Sequence, residues 1–323
     1  MSASAPDLSV ILVGAGDARS VEKTFRHLAA QTIRARVEVV VAVPEADALD
    51  LGALPTDGFW GVEVVSAGSL VSTARSRVPA IRAASGPVVA FVEDHSFPEA
   101  AWAERLVEAY ASGPWAAVAP VIGNANPGSA TSWANYLIEY GPWMQGTAPS
   151  EPHHLPGHNG SYRRDVLLAY GDRLGAMLEA ESLIHWDLTA RGERIRLLPD
   201  VRIDHLNFSR VAPSVELRVM GGRAFAASRS AAWPAPRRAL YALAALAIPA
   251  VRLARTLRWA WGTPQQAPAL RSLPALAGYL ALDALGEMTG YLFGAGSAIA
   301  SLGAIEIRRA RYLRDADQPL AYA

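Results

Sequence analysis

The sequence contains no cysteine. This excludes a disulfide scaffold, a thiolate zinc site and a thiol nucleophile, and it is consistent with a reducing compartment. Net charge is absent as well: 30 Lys and Arg balance 30 Asp and Glu. The molecule as a whole is therefore not an electrostatic nucleic-acid binder. Met1 to Asp7 is small and polar, with no basic stretch leading into an apolar one. No signal peptide is expected, and the catalytic part is expected in the cytoplasm. A glycine is missing where a dinucleotide fingerprint needs one. Gly14-Ala15-Gly16 follows the first apolar run, but Arg19 stands three positions on. Beyond Glu45, no acid lies at the end of the second strand with ribose-binding spacing, which excludes NAD.

What remains is a chain of 323 residues, long enough for a sizeable core in one large domain or two smaller ones. Its first half alternates between two periods. Leu8 to Val13, Val37 to Val43, Val62 to Val65, Val88 to Val92 and Trp115 to Val121 are apolar runs of strand length. Between them, Ala18 to Gln31, Ser72 to Ala84 and Pro98 to Ala111 carry apolar residues at helical spacing. Pro79 kinks the second helix or marks a new first turn, and Ser96 with Pro98 opens the third. Alternation of this kind predicts an α/β fold, a mostly parallel sheet flanked by helices. Further on, a helix is expected from Arg164 to Tyr170 and another from Leu178 to Arg191, the latter stopped by Gly192. Short strands are expected at Ile195 to Leu198 and Val201 to Ile203.

The richest stretch is Pro87 to His95, where five apolar residues lead into Glu93, Asp94 and His95. Polar groups at the carboxyl end of a buried strand sit where open α/β sheets bind ligands. Two carboxylates and an imidazole suit Mn2+ or Mg2+ better than a structural zinc. Six of the seven histidines lie between His95 and His205. With Glu93, Asp94, Glu179 and Glu181, they point to a polar site in this half of the chain. Three of them fall in a long loop, Glu151 to Ser161, of the kind that is usually functional.

From Leu8 to Phe208 the order of features resembles a family 2 glycosyltransferase with the GT-A fold. Ser9-Val10-Ile11-Leu12 resembles its opening strand, and Ala74-Arg75-Ser76-Arg77 its "ARN" segment. Val92-Glu93-Asp94-His95 occupies the place of the metal-binding "DxD". Leu155 to Arg164 is similar to its "GxNxxxRR". Counting back from Gly192, Glu181 falls at the second position of the acceptor-side "ED", and His205 at the closing His. Bacterial members with "EDH" in place of "DxD" also carry an "EYG" like Glu139-Tyr140-Gly141.

The resemblance implies transfer of a sugar from a nucleotide sugar with inversion at the anomeric carbon. It implies a divalent metal (Mn2+ or Mg2+) on Asp94, His95 and His205, with Glu93 a direct ligand or a ribose partner. Glu181 is the expected base that removes the acceptor proton, and Glu179 its nearest competitor. His185, one turn after Glu181, orients the base or touches the acceptor. Glu45, Arg75, Glu93 and Asp94 fall on the donor side, and His158, Asn159 and Trp186 on the acceptor side. Pro44-Glu45 and Asp47 stand where the family has an Asp pair, so UDP- and GDP-linked donors both stay open. No "QxxRW" occurs between Arg210 and Arg229, so single transfer is expected rather than polymerisation.

Charge is uneven along the chain. Arg229 to Ala323 holds eleven Arg and no Lys against five acids, leaving the first 228 residues acidic by the same margin. Ala239 to Val251 is uncharged for thirteen residues, short for a spanning helix, and continues into arginines beside Trp259 and Trp261. Met288 to Ile305 is uncharged for eighteen residues and precedes a basic cluster from Arg308 to Arg314. A helical cap or oligomer contact, a spanning hairpin, and helices lying in the cytoplasmic face of the membrane all fit; the last is expected. The expected organisation is thus a GT-A-like domain over residues 1–228 and a membrane-associating tail over 229–323. Expected partners are a nucleotide-sugar donor, a glycan or lipid-linked acceptor and a membrane surface, with no nucleic acid. A non-catalytic nucleotide-sugar-binding or assembly protein is the alternative from another class. An enzyme that makes nucleotide sugars fits less well, since no Gly-rich phosphate loop with Lys or Arg follows the first strand.

Overall fold

The computed structural model describes residues 5–70, 72–148, 150–179, 181–306 and 308–322, residue 181 by its backbone alone. Contacts group the chain into two compact units. The first comprises Met1–Gly123, Thr147–His205 and Ala321–Ala323; the second comprises Asn124–Gly146 and Leu206–Leu320.

The first unit is built on strands whose residues are buried on both faces. β1 (Leu8–Val13), β2 (Val37–Val43) and β4 (Val88–Glu93) are almost entirely buried, as their uninterrupted apolar runs require. β3 (Gly61–Ser66) lies at the edge and is only half-buried. The order is β3-β2-β1-β4-β7-β6-β8-β5, with β5 at Ser96–Pro98, β6 at Trp115–Asn124, β7 at Ser161–Arg163 and β8 at Arg194–His205. β3, β2, β1 and β4 run parallel. β7 is antiparallel to both β4 and β6, and β5 is antiparallel to β8. The sheet is thus mixed, with its parallel half made by the strand-helix alternation read from the sequence.

Helices cover this sheet through apolar stripes. α1 (Ala18–Ala29) buries Val21, Phe25 and Leu28, and Asp17 caps it by accepting from Ser20 N. α2 (Thr73–Ala83) starts at the Ser72 cap and packs on β1 and β2. Pro79 is accommodated inside this helix. α3 (Trp102–Ala111) buries Trp102, Leu106 and Ala109.

Three local expectations are corrected. Ser96 and Pro98 do not open α3 but form β5, because the end of β8 offers them a long-range partner. The two short strands at 195–198 and 201–203 are one strand, β8. Pro199 lies within β8 but outside the residues that pair with β5. The helix expected from Arg164 is α5 (Arg164–Leu168), and the one expected from Leu178 to Arg191 is α7 (Glu181–Ala190), with a separate α6 (Leu174–Leu178) before it. Gly192 ends α7 with φ 80°, a left-handed turn that suits glycine.

The second unit is helical: α4 (Ala130–Tyr140), α8 (Val211–Arg229), α9 (Ala235–Ala244), α10 (Ile248–Ala260), α11 (Gln266–Arg271), α12 (Leu273–Phe293) and α13 (Ala298–Glu306). α8 and α12 cross with their backbones in contact. A Cβ at Gly286 would stand 2.2 Å from Val219 O, and one at Gly222 2.3 Å from Asp283 O. The interior of this unit holds charge. Arg218 meets Glu139 at 3.5 Å and Asp283 at 4.0 Å, while Arg252 pairs with Asp283 at 3.6 Å and with Glu287. Burial pushes the Asp283 and Glu287 carboxyls up, against the opposing pull of these arginines.

Candidate active site

The register of β1, β2 and β4 aligns their carboxyl ends, with Val13 opposite both Ala42 and Glu93. Glu93 ends β4, so its side chain stands at the edge where the sheet opens. Three pieces of chain then converge on it.

The first is the turn after β4. Thr24, fully buried on α1, donates to Asp94 O at 3.0 Å and to Ser96 O at 3.2 Å, which fixes this turn. The second is the end of β8. Because β5 begins just after His95 and pairs with β8, His205 lies opposite Ser96, one residue from His95. The His95 and His205 rings meet edge to face, their centroids 4.9 Å apart. The third is the loop before β7. Its Gly160 carbonyl accepts from Phe91 N at 2.9 Å, extending the β4–β7 pairing. This brings Asn159, fully buried, to donate from Nδ2 to Glu93 Oε2 at 2.9 Å.

The result is one carboxylate ringed by imidazoles. Glu93 Oε2 lies 3.4 Å from His205 Nε2 and 3.6 Å from His95 Nε2, and its Oε1 lies 3.9 Å from His158 Nδ1. Burial raises the Glu93 carboxyl, but the charges of His95, His158 and His205 and the His205 hydrogen bond outweigh it. The group is held well below the usual carboxylate range.

Among the described residues, Glu93, His95 and His205 form a group whose potential ligand atoms all lie within 4.8 Å of one another. One carboxylate oxygen and two imidazole nitrogens are an acceptable donor set for Mn2+. Asp94, expected as a ligand, is not part of that group: its Oδ1 accepts from His95 Nδ1 at 2.6 Å. That contact places the proton of a neutral His95 on Nδ1 and leaves Nε2 as the donor atom facing Glu93, the usual work of a carboxylate behind a metal-binding histidine.

The other expected residues fall in different places. Glu179 is nearly buried and accepts from Arg75 Nε at 2.7 Å, so these two meet as an ion pair. Glu181 starts α7, and its side chain lies outside the described residues. His185 is fully buried. Its Nε2 bonds the Tyr162 hydroxyl at 2.8 Å, its Nδ1 accepts from Leu155 N at 3.4 Å, and its ring stacks on Tyr162. Trp186 is exposed beside it. Glu45 is exposed at the turn after β2. Thr24 and Ser96 were not anticipated from the sequence. Only the alignment of Thr24 with the buried face of α1 hinted at it.

Residues 17–171 match the family described as glycosyl transferase family 2, a little under half of the chain. Among solved structures, the chain is similar to the mannosyltransferase PcManGT from Pyrobaculum calidifontis, solved with GDP-Man and Mn2+. Identity is 18%, the match covers 95% of this chain and 88% of that one, and the TM-score is 0.51. It is also similar to residues 1–349 of TarS from S. aureus, solved with UDP, at 15% identity over 95% and 93% of the two chains, TM-score 0.47. No curated protein sequence matches the chain. The first of these likenesses is one of fold, and it agrees with a sheet of GT-A type flanked by helices.

Proposed function

We propose that this glycosyltransferase, with its GT-A-like fold and its family 2 match, is an inverting, metal-assisted enzyme. It moves one sugar at a time from a UDP- or GDP-linked donor to a glycan or lipid-linked acceptor at the cytoplasmic face of the membrane. The observation that carries the reading is the convergence of Glu93, His95 and His205 at the open end of the sheet.

In this reading the sequence Glu93-Asp94-His95 stands in for the usual acidic motif. Glu93, His95 and His205 would hold a divalent cation, whose positive charge would stabilise a departing diphosphate. The chain's own residues do the remainder. Asp94 holds His95 in one tautomer through the 2.6 Å contact. Asn159 holds the Glu93 carboxylate in place from the loop side. His185 is a positioning residue: buried and bonded to Leu155 N and Tyr162, it fixes the start of the loop that delivers His158 and Asn159. Glu181 takes the proton of the acceptor hydroxyl. The acceptor oxygen then bonds to the anomeric carbon as the bond to the diphosphate oxygen breaks, and the nucleoside diphosphate leaves. Glu179 is the weaker candidate for the base, since Arg75 already occupies its carboxylate.

The deciding experiment is calorimetric titration of UDP and of GDP, each with and without Mn2+, into the chain and into a His95→Ala/His205→Ala variant. Metal-dependent binding that disappears in the variant is expected, and the nucleotide that binds names the donor base. A folded protein that binds neither nucleotide under any condition would overturn the transferase reading. Nucleotide binding without transfer to any acceptor would favour the non-catalytic alternative.

A further inference from the structure

We infer that the outer face of α9–α10 docks on an anionic lipid surface, lying in the headgroup boundary rather than crossing the bilayer. The inference rests on the membrane-associated part of the proposed function and adds to it the face, the lipid charge and the mode.

The helical unit buries charge beside its apolar clusters and exposes one apolar stretch. Its interior holds Arg218, Asp283 and Glu287, all buried, while Leu240, Leu243, Leu246, Val251 and Trp261 on the α9–α10 stretch are 60–73% exposed. The opposite side of the same stretch buries Ala242, Ala245, Thr256 and Ala260. Arg238 anchors it by donating to Tyr291 O at 2.7 Å. An apolar face this continuous, on a helix already seated along its other side, calls for a partner.

Charge identifies the partner. Ala235–Ala260 contains no acid. The apolar face is flanked by exposed Arg237 at one end and exposed Arg255 and Arg258 at the other. Two copies of such a face would bring arginines together, whereas a surface of lipid phosphates and anionic headgroups complements them.

Length decides the mode. Within the 26-residue helical stretch, an 18-residue window reaches a mean hydropathy of 1.4, long and apolar enough to cross a membrane by length and composition only. Its uncharged part, however, is thirteen residues, roughly 20 Å of helix against a hydrocarbon core of about 30 Å. The next residue, Arg252, is committed to Asp283 and Glu287 inside the unit. The turn Ala245–Ala247 and Pro249 also interrupt the helix midway. Such a segment sinks its leucines below the headgroups and leaves its arginines at their level.

The test is sedimentation of the full chain with vesicles of phosphatidylcholine alone, or of equal parts phosphatidylcholine and phosphatidylglycerol. Two variants accompany it, Leu240→Glu/Leu243→Glu/Leu246→Glu and Arg237→Gln/Arg255→Gln/Arg258→Gln. All six positions are exposed or at the surface, and circular dichroism with the UDP or GDP titration checks that each variant is folded. The chain is expected to bind the anionic vesicles, less so at high salt. The arginine variant should lose roughly a hundredfold in affinity, the leucine variant should lose binding, and alkaline carbonate should release the bound protein. Equal binding to both vesicles would remove the charge argument while leaving a membrane tail. Binding to neither would remove the membrane reading altogether, leaving the catalytic reading to the nucleotide titration. Retention after carbonate would overturn the interfacial mode. A dimer that the leucine variant dissolves would assign the face to a second copy instead.

Discussion

His95 and His205 are 110 residues apart in the sequence and edge to face in the structure, so each is expected to matter in the same way. Loss of either imidazole should cost transfer roughly 100-fold or more, since the charge that stabilises the diphosphate is weakened. The sharper prediction concerns Asp94. If it orients His95 rather than ligating metal, Asp94→Asn should weaken Mn2+ binding by about 10–100-fold without abolishing it, and calorimetry with Mn2+ alone reads the difference. Abolished binding would make Asp94 a ligand. Of the two carboxylates near α7, Glu181→Gln should remove transfer while donor binding persists. Glu179→Gln should act instead by loosening the Arg75 ion pair. A further residue, outside the proposed metal ligands, tests linkage. His27 bonds Pro98 O, and burial lowers its imidazole from the usual value, with Lys23 adding to the effect against that hydrogen bond. The unfolded chain therefore takes the proton first. Stability from this group is complete above about pH 6.5 and is lost as pH falls below it toward the depressed folded value. His27→Gln should flatten this part of the dependence of Tm on pH.

At the level of elements, the site is a consequence of two antiparallel pairings added to a parallel sheet. β5 carries the end of β8 to His95, and β7 carries the preceding loop to Glu93. The strands β1, β2 and β4 were legible because a buried parallel strand is an unbroken apolar run whatever surrounds it. β5 was not, since three residues containing a proline resemble a helix start more than a strand and only the distant edge of β8 makes them one. In the helical unit, the backbone contact at Gly222 and Gly286 leaves no room for a side chain. Gly286→Ala should cost roughly 1–3 kcal/mol by forcing α8 and α12 apart, visible as a lower Tm. An unchanged Tm would mean that the crossing yields easily.

For the whole molecule, a cation bound to the folded chain and not to the unfolded one raises its stability by mass action. At a hundred times Kd, Mn2+ should add about 2.7 kcal/mol, and chelation should reverse the gain and stop transfer together. The same addition to a His95→Ala/His205→Ala variant should leave Tm unmoved.

The sequence by itself determined the α/β alternation, the place of Glu93, Asp94 and His95 at the end of a buried strand, and the contrast between an acidic-leaning first part and an apolar, basic last part. All of these are local: a period, a run or a count read within a few residues is enough. Tertiary structure decided the rest. Which of the three residues faces inward, which histidine comes to meet it, and why His185 holds a loop all depend on pairings between distant segments, some more than a hundred residues apart. The grouping of Asn124–Gly146 with Leu206–Leu320 depends on such contacts too. Nothing in a single strand's composition encodes its partner; the register of β5 on β8 does, and it exists only once the chain has folded.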